Sequence, residues 1–85
     1  NEPLGCTNLG LCYSRGQGMP KNANKAFHYY NKACASGNAM GCNNLGVLYQ
    51  QGRGTNRDSY RAMELYKRAC EAGEQLGCDN LRKLQ

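Results

Sequence analysis

The sequence predicts an all-α fold, an α/α solenoid of stacked helix hairpins, and three observations predict it. Gly5-Cys6-Thr7-Asn8-Leu9-Gly10 returns as Gly41-Cys42-Asn43-Asn44-Leu45-Gly46, and in part as Gly77-Cys78-Asp79-Asn80-Leu81, each time after 36 residues. Apolar residues recur at i, i+3, i+4, the stripe of an amphipathic helix, and no alternating strand pattern competes. Cysteines fall in pairs eight residues apart, Cys34 with Cys42 and Cys70 with Cys78, each pair straddling a glycine. Self-similarity at such a period is the signature of repeats that bury a core only by stacking. The chain is therefore read as a single domain, 1–85, with repeats at 5–40 and 41–76 and an opening or capping helix at 77–85.

Aligned without gaps, the two full units also share Tyr13/Tyr49, Gly16/Gly52, Gly18/Gly54, Ala26/Ala62, Tyr30/Tyr66, Ala33/Ala69, Cys34/Cys70 and Gly37/Gly73. Leu45, Leu48 and Tyr49 define the first helix of the second unit, and Gly52 with the following Arg53-Gly54-Thr55-Asn56 ends it. Asp58, like Asn22, suits an N-cap, because its side chain accepts an orphan backbone N–H. The next helix carries Ala62, Leu65, Tyr66 and Ala69 at i, i+3, i+4, i+7, matching Ala26, Tyr29, Tyr30 and Ala33. Gly37 and Gly73 supply the positive-φ stop before a tight turn. Five helices are expected, near 4–15, 23–36, 39–51, 59–72 and 75–84.

Gly10 and Gly46 fall inside helices, where glycine costs about 1 kcal/mol relative to alanine. Close approach of a neighbouring helix offsets that cost, and Ala26, Ala33, Ala62 and Ala69 fit the same tight packing. Arg82 takes the third glycine position and reads as the solvent-facing residue of a terminal cap. Tyr13, Tyr30, Tyr49 and Tyr66 lie on the apolar stripes and are expected in the core. Tyr29 and Tyr60 lack aromatic counterparts and are expected to be exposed, as is His28, which aligns with Glu64.

Eighty-five residues form a core that is marginal without further support, and six cysteines suggest that support. One cysteine of each pair ends a helix and the other opens the next antiparallel helix, so their sulfurs can meet near the shared turn. Cys6 repeats the position of Cys42 and Cys78 without a partner eight residues upstream. A missing upstream segment, a bond between chains and a free thiol all remain open for it. Cys12 stands where the second unit has Leu48 and reads as a small buried hydrophobe. No C-x-x-C occurs and His28 is the single histidine, so neither a metal nor another cofactor is expected. Cysteine-rich small domains belong to oxidising compartments, which points to a secreted or periplasmic protein. The Asn1-Glu2-Pro3 start carries no signal-peptide features, so any such segment is absent or removed.

No apolar run approaches the roughly 20 residues of a membrane span. The net charge is +5, but the lysines and arginines are spread along the chain rather than gathered in one stripe, which argues against nucleic acid.

The pattern Asn-Leu-Gly-x-x-Tyr, Gly-x-Gly, Ala-x-x-x-Tyr-x-x-Ala-Cys and Gly resembles the Sel1-like repeat. The eight-spaced cysteines resemble its cysteine-rich branch, the Helicobacter cysteine-rich proteins. The resemblance spans essentially the whole chain. It implies α/α hairpins in a right-handed superhelix, similar to tetratricopeptide repeats, in secreted or periplasmic proteins that bind other proteins.

The expected function is a protein–protein interaction module. In a solenoid the first helix of each repeat lines the concave face. Asn8, Asn44 and Asn80 recur there, and an amide offers donor and acceptor together to an extended peptide. The resemblance to tetratricopeptide domains implies peptide contact at this position. The competing reading is an Asn bonded to a neighbouring turn. Thr7, Leu11, Asn43, Val47, Asp79 and Lys83 complete the candidate groove, with Arg15, Gln50 and Gln51 at its rim. The partner is a protein or extended peptide, of acidic character given the charge, and dimers through Cys6 or the solenoid ends are open.

The resemblance also implies an enzymatic alternative, since cysteine-rich relatives are credited with penicillin binding or weak β-lactamase activity. That chemistry needs Ser-x-x-Lys. Ser14, Ser36 and Ser59 are followed three residues on by Gln17, Ala39 and Ala62, so no catalytic residues are assigned. A purely structural repeat fragment is the third reading.

Overall fold

The computed structural model describes Gly10, Tyr13 and residues 22–84. Four helices follow in order: α1 Ala23–Ala35, α2 Ala39–Gln51, α3 Ser59–Glu71 and α4 Gln75–Leu84. There is no strand among the described residues. Gly10 and Tyr13 are helical too, within the first expected helix, whose other residues lie outside those described. The expected ends of the second and fourth helices shorten by one residue, because Ser36 and Ala72 serve as C-caps.

The caps explain where the helices start. Asn22, Asn38 and Asp58 adopt extended backbone and accept from the N–H groups of Lys25 (3.0 Å), Gly41 (2.7 Å) and Arg61 (3.0 Å). Each contact satisfies a donor that the first turn leaves without an intrahelical partner. The stops are equally local. Gly37 and Gly73 have φ of 93° and 95°, a region that costs other residues steric strain. The chain then turns so that Asn38 and Glu74 donate back to the carbonyls of Ala33 (3.0 Å) and Ala69 (2.9 Å), closing both turns alike.

Packing is asymmetric. α2 lies against α1 and α3, α3 against α4, and α2 also touches α4. No Cα of α1 comes within 8 Å of α3. The first helices of successive repeats thus adjoin, while the second helices stand apart.

Ala26, Ala62 and Ala69 are fully buried and Ala33 nearly so, with Tyr30, Tyr66, Leu45 and Leu48 filling the space between. A Cβ at Gly46 would lie 2.7 Å from the Tyr66 ring, and one at Gly10 2.6 Å from the Tyr30 ring. Each interior glycine therefore admits the following tyrosine.

Three tyrosines depart from the sequence reading. Tyr13, expected in the core, is half-buried and packs against it. Tyr29 is half-buried and stacks in parallel on Tyr13 at 5.7 Å, because its neighbour in space supplies the aromatic surface its sequence counterpart lacks. Tyr49, expected in the core, is half-buried and packs against it, its ring meeting Phe27 edge-on at 5.5 Å. Tyr60, by contrast, is 70% exposed, and His28 is exposed. Arg82 is exposed and donates to Asp79 at 2.7 Å.

Candidate functional site

Two surfaces carry the candidate side chains, one built from first helices and one from second helices. On the first, α2 and α4 place Asn44, Val47, Asp79, Asn80 and Lys83 as residues at least partly exposed. Asn8, Thr7 and Leu11 of the expected ladder, and Arg15 of its rim, lie outside the described residues.

A chain of amides links α4 to α2. Asn80 Nδ2 donates to Asn43 Oδ1 at 2.9 Å, and Asn43 Nδ2 donates to Asn44 Oδ1 at 3.4 Å. Asn43 is 3% exposed. Its expected place in a ligand groove is therefore corrected: a buried amide must be satisfied internally, and Asn80 and Asn44 satisfy it. The bonded-neighbour reading holds for one edge of each flanking Asn. The carboxamide Nδ2 of Asn44 and Oδ1 of Asn80 have no hydrogen-bond partner among the described residues.

The other expected residues divide by contact. Asp79 accepts from Gln75 (3.1 Å) and Arg82 (2.7 Å), so its carboxylate is already partnered. Gln50, expected at the rim, accepts from Tyr66 at 2.6 Å and serves the core instead. Burial of the Tyr66 phenol pushes its pKa up to about 12. Gln51 and Lys83 are exposed.

The cysteine pairs sit at the turns. Cys34 and Cys42 are bonded across the Gly37 turn with Cα atoms 4.5 Å apart, and Cys70 and Cys78 across the Gly73 turn at 4.6 Å. Cys34 and Cys42 belong to the buried core. Cys6 and Cys12 lie outside the described residues. Among the described residues no group of three histidine, cysteine or acidic side chains is placed to hold a metal ion.

The second surface was not anticipated. Between α1 and α3, with α2 as floor, lies a cleft of about 530 Å³ lined by Asn31, Leu45, Tyr49, Arg61, Leu65 and Arg68 among others. Arg61 stands over the Tyr49 ring at 5.5 Å, as Lys25 stands over Tyr13 at 5.2 Å. The four residues occupy equivalent positions 36 apart, so a cation on a half-buried tyrosine is a property of the repeat. The alignment of Lys25 with Arg61 carried that signal, once Tyr13 and Tyr49 are seen as its targets.

Hairpins of fixed period, stacked with first helices together and second helices apart, define an α/α repeat scaffold of the tetratricopeptide-like kind. The Sel1 repeat family model matches residues 3–38 and again 39–74, and the chain belongs to that family. Among solved structures, cysteine-rich protein B of Helicobacter pylori is 33% identical, with a TM-score of 0.82 over 89% of this chain and 57% of that one. A Sel1 repeat protein of Oxalobacter formigenes is 30% identical, with a TM-score of 0.89 over 93% of this chain and 32% of its own. A protective antigen present in uropathogenic Escherichia coli strains is 33% identical, with a TM-score of 0.82 over 85% of this chain and 15% of its own. The chain thus spans little more than half of the first of these proteins and less of the others. No curated protein matches it. Sel1 repeat proteins are in general protein–protein interaction scaffolds.

Proposed function

We propose that the protein binds an extended segment of a partner protein along the face formed by α2 and α4. The observation that supports this most is the amide chain. It leaves a donor at Asn44 and an acceptor at Asn80, on adjoining helices of that face, with both side chains bonded to Asn43. A peptide backbone presents the complementary carbonyl and N–H, and pre-oriented amides lose less entropy on binding. Lys83 at the edge favours acidic residues in the ligand.

The test uses peptides selected on the wild-type protein from a random library. Asn44→Ala and Asn80→Ala should each weaken the selected peptides by about 1 kcal/mol, roughly fivefold. Affinities unchanged in both variants would sink the proposal. Each substitution also removes a partner of Asn43, and Asn44→Ala is the milder of the two because it breaks the longer contact, 3.4 Å against 2.9 Å.

The bonded cysteine pairs support an oxidising, extracytoplasmic setting. No helix among the described residues is long and apolar enough to cross a membrane. Free-thiol labelling of the protein from its native source should leave these four cysteines unmodified, and labelling of all four would refute the placement. A serine hydrolase finds no support around the two described serines. Ser36 Oγ donates to the Lys32 carbonyl at a helix end, and Ser59 is exposed at the start of α3.

A further inference from the structure

The cleft between α1 and α3 shares no lining residue with the face of α2 and α4 proposed above, and its chemistry is different. Its floor is apolar: Leu45 is buried, and the Tyr49 ring and Leu65 are half-buried at its base. Its α3 wall carries Arg61 and Arg68, seven residues apart and so on one face of that helix. Arg61 is held over Tyr49, with a loose contact to Asp58 at 3.9 Å. Arg68 is exposed and has no ion pair among the described residues. Glu64 lies between the two arginines on the same wall, but no ion pair of 4 Å or less joins it to either. The facing helix, α1, contains no acidic residue and contributes the Asn31 amide.

The basic wall also repeats. Lys25 and Lys32 of α1 stand at the positions of Arg61 and Arg68, and His28 stands where Glu64 does. Successive second helices therefore present cations at matching places, and only the second of them carries an acid in that row. A cavity of this size accepts one large apolar side chain with its flanking backbone. Arginines at the mouth select carboxylates, which they bind with two parallel N–H groups.

We infer that this cleft is a second docking site, and that its occupant is an acidic segment of a partner protein. An apolar side chain enters between α1 and α3 onto Leu45, Tyr49 and Leu65, while carboxylates flanking it pair with Arg68 and Arg61. Charge complementarity selects this occupant, because the cleft offers apolar contact beneath a lining with two arginines against one acid, and Arg68 has no ion pair among the described residues. A phosphate backbone would use the cations but leave the floor unfilled.

The test is titration of the ¹⁵N-labelled protein with a blocked peptide that has Leu at its centre and Glu at the flanking positions. Amide shifts should concentrate at Asn31, Leu45, Tyr49 and Arg68, and affinity should fall as salt rises. Replacing the Glu residues of the peptide by Gln, or Arg68→Glu in the protein, should weaken binding at least tenfold. Arg68 is exposed and unpaired, so its variant keeps the fold, which circular dichroism checks. Asn44→Ala should leave this titration unchanged, which separates the site from the one on α2 and α4. Shifts confined to α2 and α4, no shift at millimolar peptide, or tighter binding of a single-stranded oligonucleotide of equal charge would each overturn the inference.

Discussion

Gly46→Ala is the substitution through which the packing is best tested. On helix propensity alone it should stabilise α2 by about 1 kcal/mol. The structure predicts the opposite sign. The new methyl would lie 2.7 Å from Tyr66 Cε1 and 2.9 Å from Cδ1, with the Ala62 carbonyl oxygen at 3.3 Å behind. Carbon pairs are comfortable only at roughly 3.5–4.0 Å, so the ring must retreat by about 0.8 Å or more. Tyr66 has little freedom to do so, being fully buried with its hydroxyl anchored to Gln50 at 2.6 Å. Overpacking of this kind costs about 1–3 kcal/mol. Set against the propensity gain, the net loss should reach up to about 2 kcal/mol, read from urea unfolding followed by circular dichroism. Repeating the substitution in a Tyr66→Leu background should abolish the loss, because the ring that meets the methyl is gone. An equal loss in both backgrounds, or a stabilised Gly46→Ala, would refute the account of why glycine interrupts this helix.

Replacing Cys34 and Cys42 together by alanine should cost about 2.5 kcal/mol from loop closure over their separation of eight, and further stability from lost burial, since both are core residues. The same change at Cys70 and Cys78, which are half-buried, should lower the melting temperature less. Tyr66 makes stability pH-dependent in the alkaline range. Its folded pKa of about 12 lies above the ordinary 10, so the folded state holds its proton longer. Stability is complete below pH 10 and declines as pH rises from 10 towards 12, by about 2 kcal/mol, and Tyr66→Phe should remove that part of the decline.

The sequence made much of the scaffold legible because its punctuation is local. Asn22 and Asp58 cap because their side chains reach a backbone only three residues away, and Gly37 and Gly73 stop helices through their own φ. The cysteine spacing worked for the same reason, since each pair spans one turn. What escaped depends on contacts across repeats. Asn43 looked like its neighbours Asn44 and Asn80, and only the approach of α4 to α2 shows that it is buried between them. Tyr29 lacked a sequence counterpart, yet Tyr13 covers its ring. The cleft could not be read at all, because it exists where α1 and α3 fail to meet, and a gap between elements leaves no mark on the composition of either.

The bonded turns also change what counts as a unit under force or proteolysis. Each cysteine bond ties a second helix to the first helix of the next repeat, so the covalent hairpins are α1–α2 and α3–α4, out of phase with the repeat read from the sequence. A cut at Gly37 or Gly73 leaves both halves attached, whereas a cut within residues 52–58 meets no bond between these two hairpins. Pulled from its ends, the described part of the chain can lengthen by peeling hairpin from hairpin and by unwinding outside the two closed loops, as over residues 43–69 between the bonds. Each closed loop withholds only the residues it encloses, 35–41 and 71–77, from that extension until a reductant arrives, so an oxidised array keeps a fixed knot at each of these turns.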